Sequence, residues 1–575
     1  MKLKNYVFAA LALSIMSGCS EDEITGNGTG NQTEADSDAY VSVKINLPTG
    51  SSSTRALTEK FENGVTTEYD VKDLTLLFFT RPSENATEDE YVIANIASTL
   101  EDINTVEGAF TLPKFENNEN NEITSTASTS AISVNSGVCA VAALLNINSE
   151  KSIAKTNLRI GKTFGEINDA LTLDVNDIIG ETNGFLMTSS PWLKSDKESA
   201  VNLTTCIPRS TKDDAEKNKV PVKVERIVSK VQLVAYSGDN TADDENALKK
   251  QAKDPLYQNQ WYKISGKMAY IIGGTGGHAG DIVIIEGWTL DVTNRRSYPF
   301  RKVDVTDWKT NYTDIWSLIS FNDRMYFAKD PNYDSYIPAD FNVTTLQNAS
   351  FKDAGTTQYC LENTFDINNQ RKNQTTRLLI KAKYIPNENN SADENGTWYS
   401  LNGITAHYSK DDLNEKIYAI GKELNLFDEE YNSTNVTINL TGVEENGRVK
   451  VGSVTVSGSS LTEDELETLN NQLTITCYEN GYCYYPIRIR HFSDNEVYGK
   501  ENTYHFSGDY TPKELGRYGV VRNTSYKVQI NTISKPGDPN VPSTPDEPDD
   551  DENLYISCTI DILAWALRPT QEEDL

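Results

Sequence analysis

The stretch AYVSVKINL, residues 39–47, places an apolar side chain at every second position. This alternation predicts a β-strand with one buried face, because successive side chains of a strand point to opposite sides. Short apolar runs separated by polar loops recur along the chain, at 74–79, 138–146, 220–234, 280–292, 378–384, 473–478, 482–490 and 526–533. Only 151–180 and 410–425 have a pattern typical of a helix. The sequence therefore predicts an all-β fold built from β-sandwiches.

Composition narrows the classes of function. The chain has 575 residues, with 53 Lys and Arg against 84 Asp and Glu, a formal net charge of −31. Such a charge repels phosphates and argues against a nucleic-acid partner. With only 4 His, the chain has few parts for histidine-based catalysis or metal binding. The length is enough for two large all-β domains.

The N-terminus has the features of an export signal. Lys2 and Lys4 precede a short apolar run, 7–15, and Met16-Ser17-Gly18-Cys19 follows. The run is too short to span a bilayer stably. A Cys directly after small residues predicts a lipoprotein, in which the thiol of Cys19 is acylated; the alternative is an ordinary signal peptide with an incidental Cys. The acidic stretch 20–23 resembles the export signal of Bacteroidales surface lipoproteins.

Six further cysteines are scattered and predict no disulfide framework. Cys477 and Cys483 flank Asn480-Gly481, which is typical of a two-residue hairpin turn. In that hairpin the two thiols would lie on opposite faces, so a bridge between them is not expected. No His stands at zinc-ligand spacing, and we predict no metal site and no cofactor.

The C-terminus consists of a linker and one more strand. Prolines recur every third residue from Pro536 to Pro548 among acidic side chains, which predicts a stiff polyproline spacer of about 50 Å at roughly 3 Å per residue. The strand behind it alternates as 39–47 does, and a lone strand must pair with something. It can fill a groove of another molecule or fold back onto its own subunit as an edge strand. Its apolar positions are Leu554, Ile556, Cys558, Ile560, Ile562 and Ala564, beside Trp565.

Catalytic motifs are weak. The loop 274–279 formally fits a dinucleotide fingerprint, but a strand follows it where a helix is needed. Gly161-Lys162-Thr163 lacks the upstream glycine of a phosphate loop. The four histidines lie far apart in sequence, and no spacing among the carboxylates selects a pair. We predict no catalytic residues and no enzymatic activity.

Arg55 lies in a Ser/Thr-rich loop just after the strand 39–47 and is the first arginine of the chain. Cleavage between Arg55 and Ala56 would release that strand together with the lipid anchor. A groove left in this way would need a replacement, which the C-terminal strand of another copy is suited to supply.

Several segments resemble the type V fimbrillins of Bacteroidales, in particular the major subunit of the short fimbriae. They are VKVERIVSKV (222–231), YCLENT (359–364), YCYYPIRIRH (482–491), YGVVRNTSY (518–526) and the terminal strand with Trp565. The resemblance implies two transthyretin-like β-sandwich domains, export as a lipoprotein, palmitate on Cys19, an arginine-specific protease acting at Arg55-Ala56, and 554–566 as a donor strand.

The resulting organisation is a signal peptide (1–19), a tether and propeptide strand (20–55), two sandwiches (56–229 and 230–535), an acidic linker (536–552) and a donor strand (553–575). The expected function is the stalk subunit of a cell-surface fimbrium that polymerises by donor-strand exchange and supports adhesion and virulence. The precursor would sit on the outer membrane, and its partners would be other copies and the anchor and tip subunits. Alternatives are an accessory or tip adhesin, a surface glycan-binding lipoprotein and, third, a surface hydrolase.

Overall fold

The structure is a computed structural model of the chain. It describes residues 39–47, 64–115, 126–148, 153, 155–169, 171–193, 200–274, 277–303, 328–387, 391–403, 406–427, 435–444, 446–489, 491, 518–548 and 556–564. All of these residues belong to one compact unit, Asp38–Leu575.

The largest sheet lies in the N-terminal half of this unit. Its strand order is β4-β3-β7-β9-β13-β2-β5, with β12 added at β7, and its apolar side chains share one core. The strands are β2 (Val43–Asn46), β3 (Leu74–Thr80), β4 (Val92–Ser98), β5 (Thr126–Ser128), β7 (Val138–Leu145), β9 (Met187–Ser189), β12 (Thr204–Thr205) and β13 (Val220–Arg226). Beside them, β1 (Ala39–Val41) pairs with β6 (Ile132–Val134).

Two sheets in the C-terminal half form a sandwich, since their inner side chains meet in a single core. One sheet has the order β24-β14-β33-β34, from β14 (Val228–Leu233), β24 (Thr357–Leu361), β33 (Thr524–Ile533) and β34 (Ile556–Ala564). The other has the order β15-β16-β17-β18-β25-β32, from β15 (Thr241–Ala242), β16 (Gln260–Ile264), β17 (Lys267–Ile271), β18 (Ile282–Asp291), β25 (Arg377–Ile385) and β32 (Tyr482–Arg488).

Between β25 and β32 the chain leaves the sandwich and builds a smaller layer with its own core, which we call the insert (398–478). Its strands are β26 (Trp398–Leu401), β27 (Val436–Leu440), β28 (Arg448–Val449), β29 (Val451–Val456), β30 (Ser459–Ser460) and β31 (Ile475–Tyr478). Its helices are α4 (Lys410–Glu423) and α5 (Glu463–Asn470). Each helix begins at a capping hydroxyl, Ser409 for α4 and Thr462 for α5.

Short elements complete the described part of the chain. Two-stranded ladders pair β8 (Leu171–Thr172) with β20 (Arg296–Ser297), β10 (Trp192–Leu193) with β11 (Ala200–Val201), β19 (Thr293–Asn294) with β23 (Phe341–Asn342), and β21 (Lys302–Val303) with β22 (Ala328–Lys329). The remaining α-helices are α1 (Phe164–Ile167), α2 (Lys212–Lys217) and α3 (Glu245–Ala252). Single 3₁₀ turns span Thr66–Glu68, Glu88–Glu90, Lys155–Asn157, Val175–Asp177, Pro255–Tyr257, Pro338–Asp340, Ile367–Asn369 and Glu479–Gly481.

The predicted all-β fold is confirmed, and each predicted strand region contains a strand of the structure. The helix predicted at 410–425 is confirmed as α4, whereas the helix predicted at 151–180 is wrong. Among the described residues of that region only the four of α1 are α-helical, and Gly161 and Gly180 have φ of 88° and 103°, which a helix cannot contain. In the described part of the chain, no helix is long and apolar enough to cross a membrane.

The predicted hairpin at Cys477 and Cys483 is also wrong. Asn480 and Gly481 do have positive φ, 53° and 75°, as that turn requires. However, β31 pairs with β26 and β28, while β32 pairs with β25, so the turn separates two sheets instead of joining two paired strands. Both cysteines are free and buried.

The chain passes from the N-terminal sheet to the sandwich at Ile227, between β13 and β14. Buried ion pairs surround this crossing. The guanidinium of Arg301 donates from Nε and Nη2 to the two carboxylate oxygens of Glu225, both at 2.9 Å, and also to the carbonyl of Arg522 at 3.1 Å. Arg522 in turn contacts Glu362. Bidentate pairs of this kind fix the relative position of the segments that carry them. The division into domains at 229/230 remains a prediction.

Candidate assembly strands

The N-terminal strand lies inside a sheet, not at its edge. β2 pairs in parallel with β13 on one side and antiparallel with β5 on the other. Just before it, Tyr40 exchanges backbone hydrogen bonds of 2.7 and 2.8 Å with Arg209. The segment 39–47 therefore fills a groove with partners along both flanks.

The apolar face of this segment is buried along its whole length. Val43 and Ile45 are 0% exposed, and all five alternating apolar residues belong to the buried set: Ala39, Val41, Val43, Ile45 and Leu47. Burying a Val, Ile or Leu side chain contributes about 1.5–3 kcal/mol, so the four larger residues contribute about 6–12 kcal/mol before ordering costs. Removing 39–47 would open an apolar slot between β13 and β5.

The processing residues predicted from the sequence lie outside the described residues. This holds for the lipidation site Cys19 and for the scissile bond Arg55-Ala56. The structure does place the segment 39–47, which ends eight residues before Arg55, and the chain that resumes at Gly64. Lipidation and cleavage therefore remain predictions.

The C-terminal strand β34 pairs antiparallel with β33 of the same chain, from Ile533 opposite Ile556 to Thr524 opposite Ala564. This is the edge-strand arrangement that the sequence left open. Since β34 is the last strand in the order β24-β14-β33-β34, it has a strand partner on one flank only among the described strands.

The apolar face of β34 is less completely buried than that of β2. Ile556 is buried, whereas Cys558 and Ile560 are only partly buried against the sandwich core. For Ile562 and Ala564 the structure gives the strand backbone and its register. Leu554 and Trp565 lie outside the described residues.

The described part of the linker, 536–548, does not project from the subunit but lies against the sandwich. It is held by backbone pairing at Asp538 with Tyr484 and by Arg377, whose Nη2 donates to the carbonyl of Pro542 at 2.6 Å. Two exposed ion pairs add to this, Arg371 with Asp546 at 3.3 Å and Lys372 with Glu547 at 3.2 Å. These contacts were not predicted from the sequence, although the basic pair Arg371-Lys372 was a signal for an acidic partner.

The strands β33 and β34 and the linker between them lie in one segment that matches a known family. Residues 476–571 match the family model described as "Major fimbrial subunit protein type IV, Fimbrillin, C-terminal". This part of the chain is similar to the C-terminal region of fimbrillins. The match runs from β31 through β32, β33 and the linker to β34.

Solved structures of fimbrial proteins are similar to this chain. A fimbrilin from Porphyromonas gingivalis W83 has a TM-score of 0.38 and 14% sequence identity, over 92% of this chain and 99% of that chain. The tip fimbrial protein Mfa3 from Porphyromonas gingivalis, with C-terminal truncation, has a TM-score of 0.33 and 12% identity, over 92% of this chain and 100% of that chain. No curated protein matches.

The fimbrillin match supports the broad function predicted from the sequence. Fimbrillins are structural proteins rather than enzymes, and the match supports a fimbrial subunit at the cell surface.

Proposed function

We propose that this chain is the stalk subunit of a fimbrium and that it polymerises by donor-strand exchange after proteolysis. In this proposal the precursor is an outer-membrane lipoprotein anchored through Cys19. An arginine-specific protease cuts between Arg55 and Ala56 and releases 39–47 with the anchor. The strand β34 of a second copy then enters the slot between β13 and β5.

The observation that carries the proposal is the difference in burial between the two strands. The segment 39–47 and β34 each contain nine residues with five alternating small or apolar positions. In the slot Val43 and Ile45 are 0% exposed, whereas at the sheet edge Ile560 is only partly buried. Moving β34 from an edge with one partner strand to a slot with two would bury more apolar surface and add backbone hydrogen bonds.

This asymmetry also sets the form of the assembly. The slot and the donor strand are different surfaces of the molecule, so each contact is heterologous and leaves a slot free at one end and a strand free at the other. Such contacts give an open filament. The uncleaved precursor stays monomeric because its own strand fills the slot.

The experiment compares wild-type precursor, Arg55→Ala and a chain lacking 553–575, each treated with an arginine-specific protease and viewed by negative-stain microscopy. Wild type is expected to form fibres after cleavage. Arg55→Ala should stay uncleaved and monomeric, and the truncated chain should be cleaved but remain monomeric. Lys60→Ala is a matched control outside the scissile bond and should assemble normally. Long fibres from the truncated chain would refute the proposal.

A further inference from the structure

Two of the four histidines come together in the fold, against the expectation that they lie apart. The rings of His278 and His407 are 5.1 Å apart between centroids, and the carboxylate of Asp281 lies against both. His278 belongs to the glycine-rich loop 274–280 between β17 and β18, and Asp281 immediately precedes β18. His407 is part of the insert, just before α4.

Asp281 lies at metal-site spacing from both histidines. Asp281 Oδ2 lies 3.3 Å from Nδ1 of His278 and 3.5 Å from Nε2 of His407, and the ligand atoms of the cluster all lie within 4.8 Å of one another. Ligands about 2.0–2.1 Å from a tetrahedral Zn²⁺ are about 3.3 Å from each other. The two distances at Asp281 match this edge and are longer than good hydrogen bonds.

The burial of the His407 ring is not compensated by hydrogen bonds among the described residues. Its side chain is 0% exposed, and neither ring nitrogen has a hydrogen-bond partner among the described residues. Buried polar atoms in folded proteins nearly always have a partner. An imidazole buried in this way has a ring nitrogen available for a cation.

Surrounding groups hold the carboxylate in place. The hydroxyl of Tyr384, on β25, donates to Asp281 Oδ2 at 2.6 Å, and the backbone N–H of Asn387 donates to Oδ1 at 2.9 Å. Such contacts orient a ligating carboxylate and leave a lone pair of Oδ2 available.

We propose that His278, Asp281 and His407 bind a divalent transition metal ion of the zinc type. Two imidazole nitrogens disfavour Ca²⁺ and Mg²⁺, which prefer oxygen ligands, whereas two His and one carboxylate suit Zn²⁺ with a fourth position for water. His278 provides access, because its side chain is 11% exposed while those of His407 and Asp281 are 0% and 2% exposed.

The position of the site indicates a structural role. His278 and Asp281 belong to the six-stranded sheet and its loop, and His407 belongs to the insert. A bound ion would tie the insert to the sandwich across 126 residues of sequence, counted from 281 to 407. Because the ion binds only the folded arrangement, its binding would stabilise the attachment of the insert.

The test uses the purified full chain, stripped with EDTA and then supplied with Zn²⁺. After removal of free metal, we expect one zinc per chain and a higher melting temperature. With Co²⁺ we expect the intense visible absorption of a tetrahedral nitrogen-containing site. Absence of retained zinc, or a Co²⁺ spectrum of the weak type given by water and surface carboxylates, would overturn the proposal without any variant being needed.

Variants then assign the ligands. His407→Gln and Asp281→Asn should lose the retained zinc. If these two variants fail to fold, His278→Gln is the milder substitution, because His278 lies at a partly exposed turn, and it should also lose zinc. Tyr384→Phe should keep one zinc with about tenfold weaker affinity, since it removes only an orienting contact. Glu245→Gln, which removes a partly exposed carboxylate paired with Lys383, is the control and should bind as wild type does. Stoichiometric zinc in folded His278→Gln with unchanged affinity would also contradict the assignment.

Discussion

Tyr484 and Asp538 exchange two backbone hydrogen bonds, each 2.8 Å long, which join the start of the linker to β32. Since β32 is the last strand of the six-stranded sheet, the linker covers an edge that would otherwise be open to pairing with another chain. The same contact restrains β34, because the linker connects it to β33. Transfer of β34 to another subunit therefore requires some of the linker contacts to break.

The first prediction concerns the exposed ion pairs of the linker. Replacing both Arg371 and Lys372 by Ala removes their contacts with Asp546 and Glu547. We expect faster hydrogen exchange in 538–548, with a loss of less than about 1 kcal/mol in the free energy of unfolding, because exposed ion pairs contribute little. Lys450→Ala, which removes the exposed contact with Glu444, is the control and should leave exchange in the linker unchanged. Exchange in 538–548 that is equally slow in the double variant would show that these pairs do not hold the linker.

The second prediction concerns the strand that fills the slot. Ile45 is 0% exposed between β13 and β5, so Ile45→Ala should lower the free energy of unfolding of the precursor by about 2–5 kcal/mol. Lys44, its neighbour on the same strand, is exposed, and Lys44→Ala should change stability by no more than about 0.5 kcal/mol. Urea unfolding of the two variants measures the difference. Equal stabilities would mean that the slot does not depend on the apolar face of 39–47.

The third prediction is a pH dependence at His491. The ring Nδ1 lies 2.6 Å from the hydroxyl of Tyr526, which itself accepts from the backbone N–H of Val521, so the hydroxyl proton points to the imidazole. Burial, with a smaller effect from Arg301, lowers the pKa of His491 to about 3. The ring is therefore neutral in the folded chain.

Between the folded pKa of about 3 and the ordinary value of 6.5, the unfolded chain binds more protons than the folded one. This histidine should therefore lower the stability of the folded chain by about 1.4 kcal/mol for each pH unit below 6.5. His491→Gln keeps an acceptor for Tyr526 and lacks this titration. Denaturant unfolding at several pH values should show that wild type loses stability faster than the variant on acidification. Parallel curves would contradict the neutral buried state.

The sequence predicted the strands well because each carries its own period-two pattern, which does not depend on distant residues. The segment 39–47 and the strand β34 are the clearest cases, and both form within a residue or two of their predicted limits. The hairpin at Asn480-Gly481 was predicted from local turn chemistry, which the backbone angles follow. Strand pairing, however, depends on which strands the fold brings alongside, and β31 and β32 pair with strands of different sheets.

The assembly strands and the histidine pair were likewise only partly predictable from the sequence. Alternation in β34 was visible in the sequence, but its partner β33 was not, because pairing between 524–533 and 556–564 depends on the path of the linker. His278 and His407 are separated by more than a hundred residues and meet only because the insert folds back onto the sheet. A histidine directly after a run of glycines and three residues before an Asp was the available signal, and it was weak.

The last prediction tests the donor strand with two charges placed on neighbouring residues of β34. Ile560 lies on its apolar face and packs partly against the sandwich core, whereas Thr559 is exposed on the opposite face. In the precursor, Ile560→Asp should cost little more than Thr559→Asp, because Ile560 is only partly buried at the sheet edge. In the slot between β13 and β5 the same side chain would be fully buried, and an unpaired carboxylate there is strongly unfavourable. We therefore expect both variants to fold and to be cleaved at Arg55, while only Thr559→Asp forms long fibres by negative-stain microscopy. Fibres of equal length from both variants would mean that this face of β34 does not enter the slot of the next subunit.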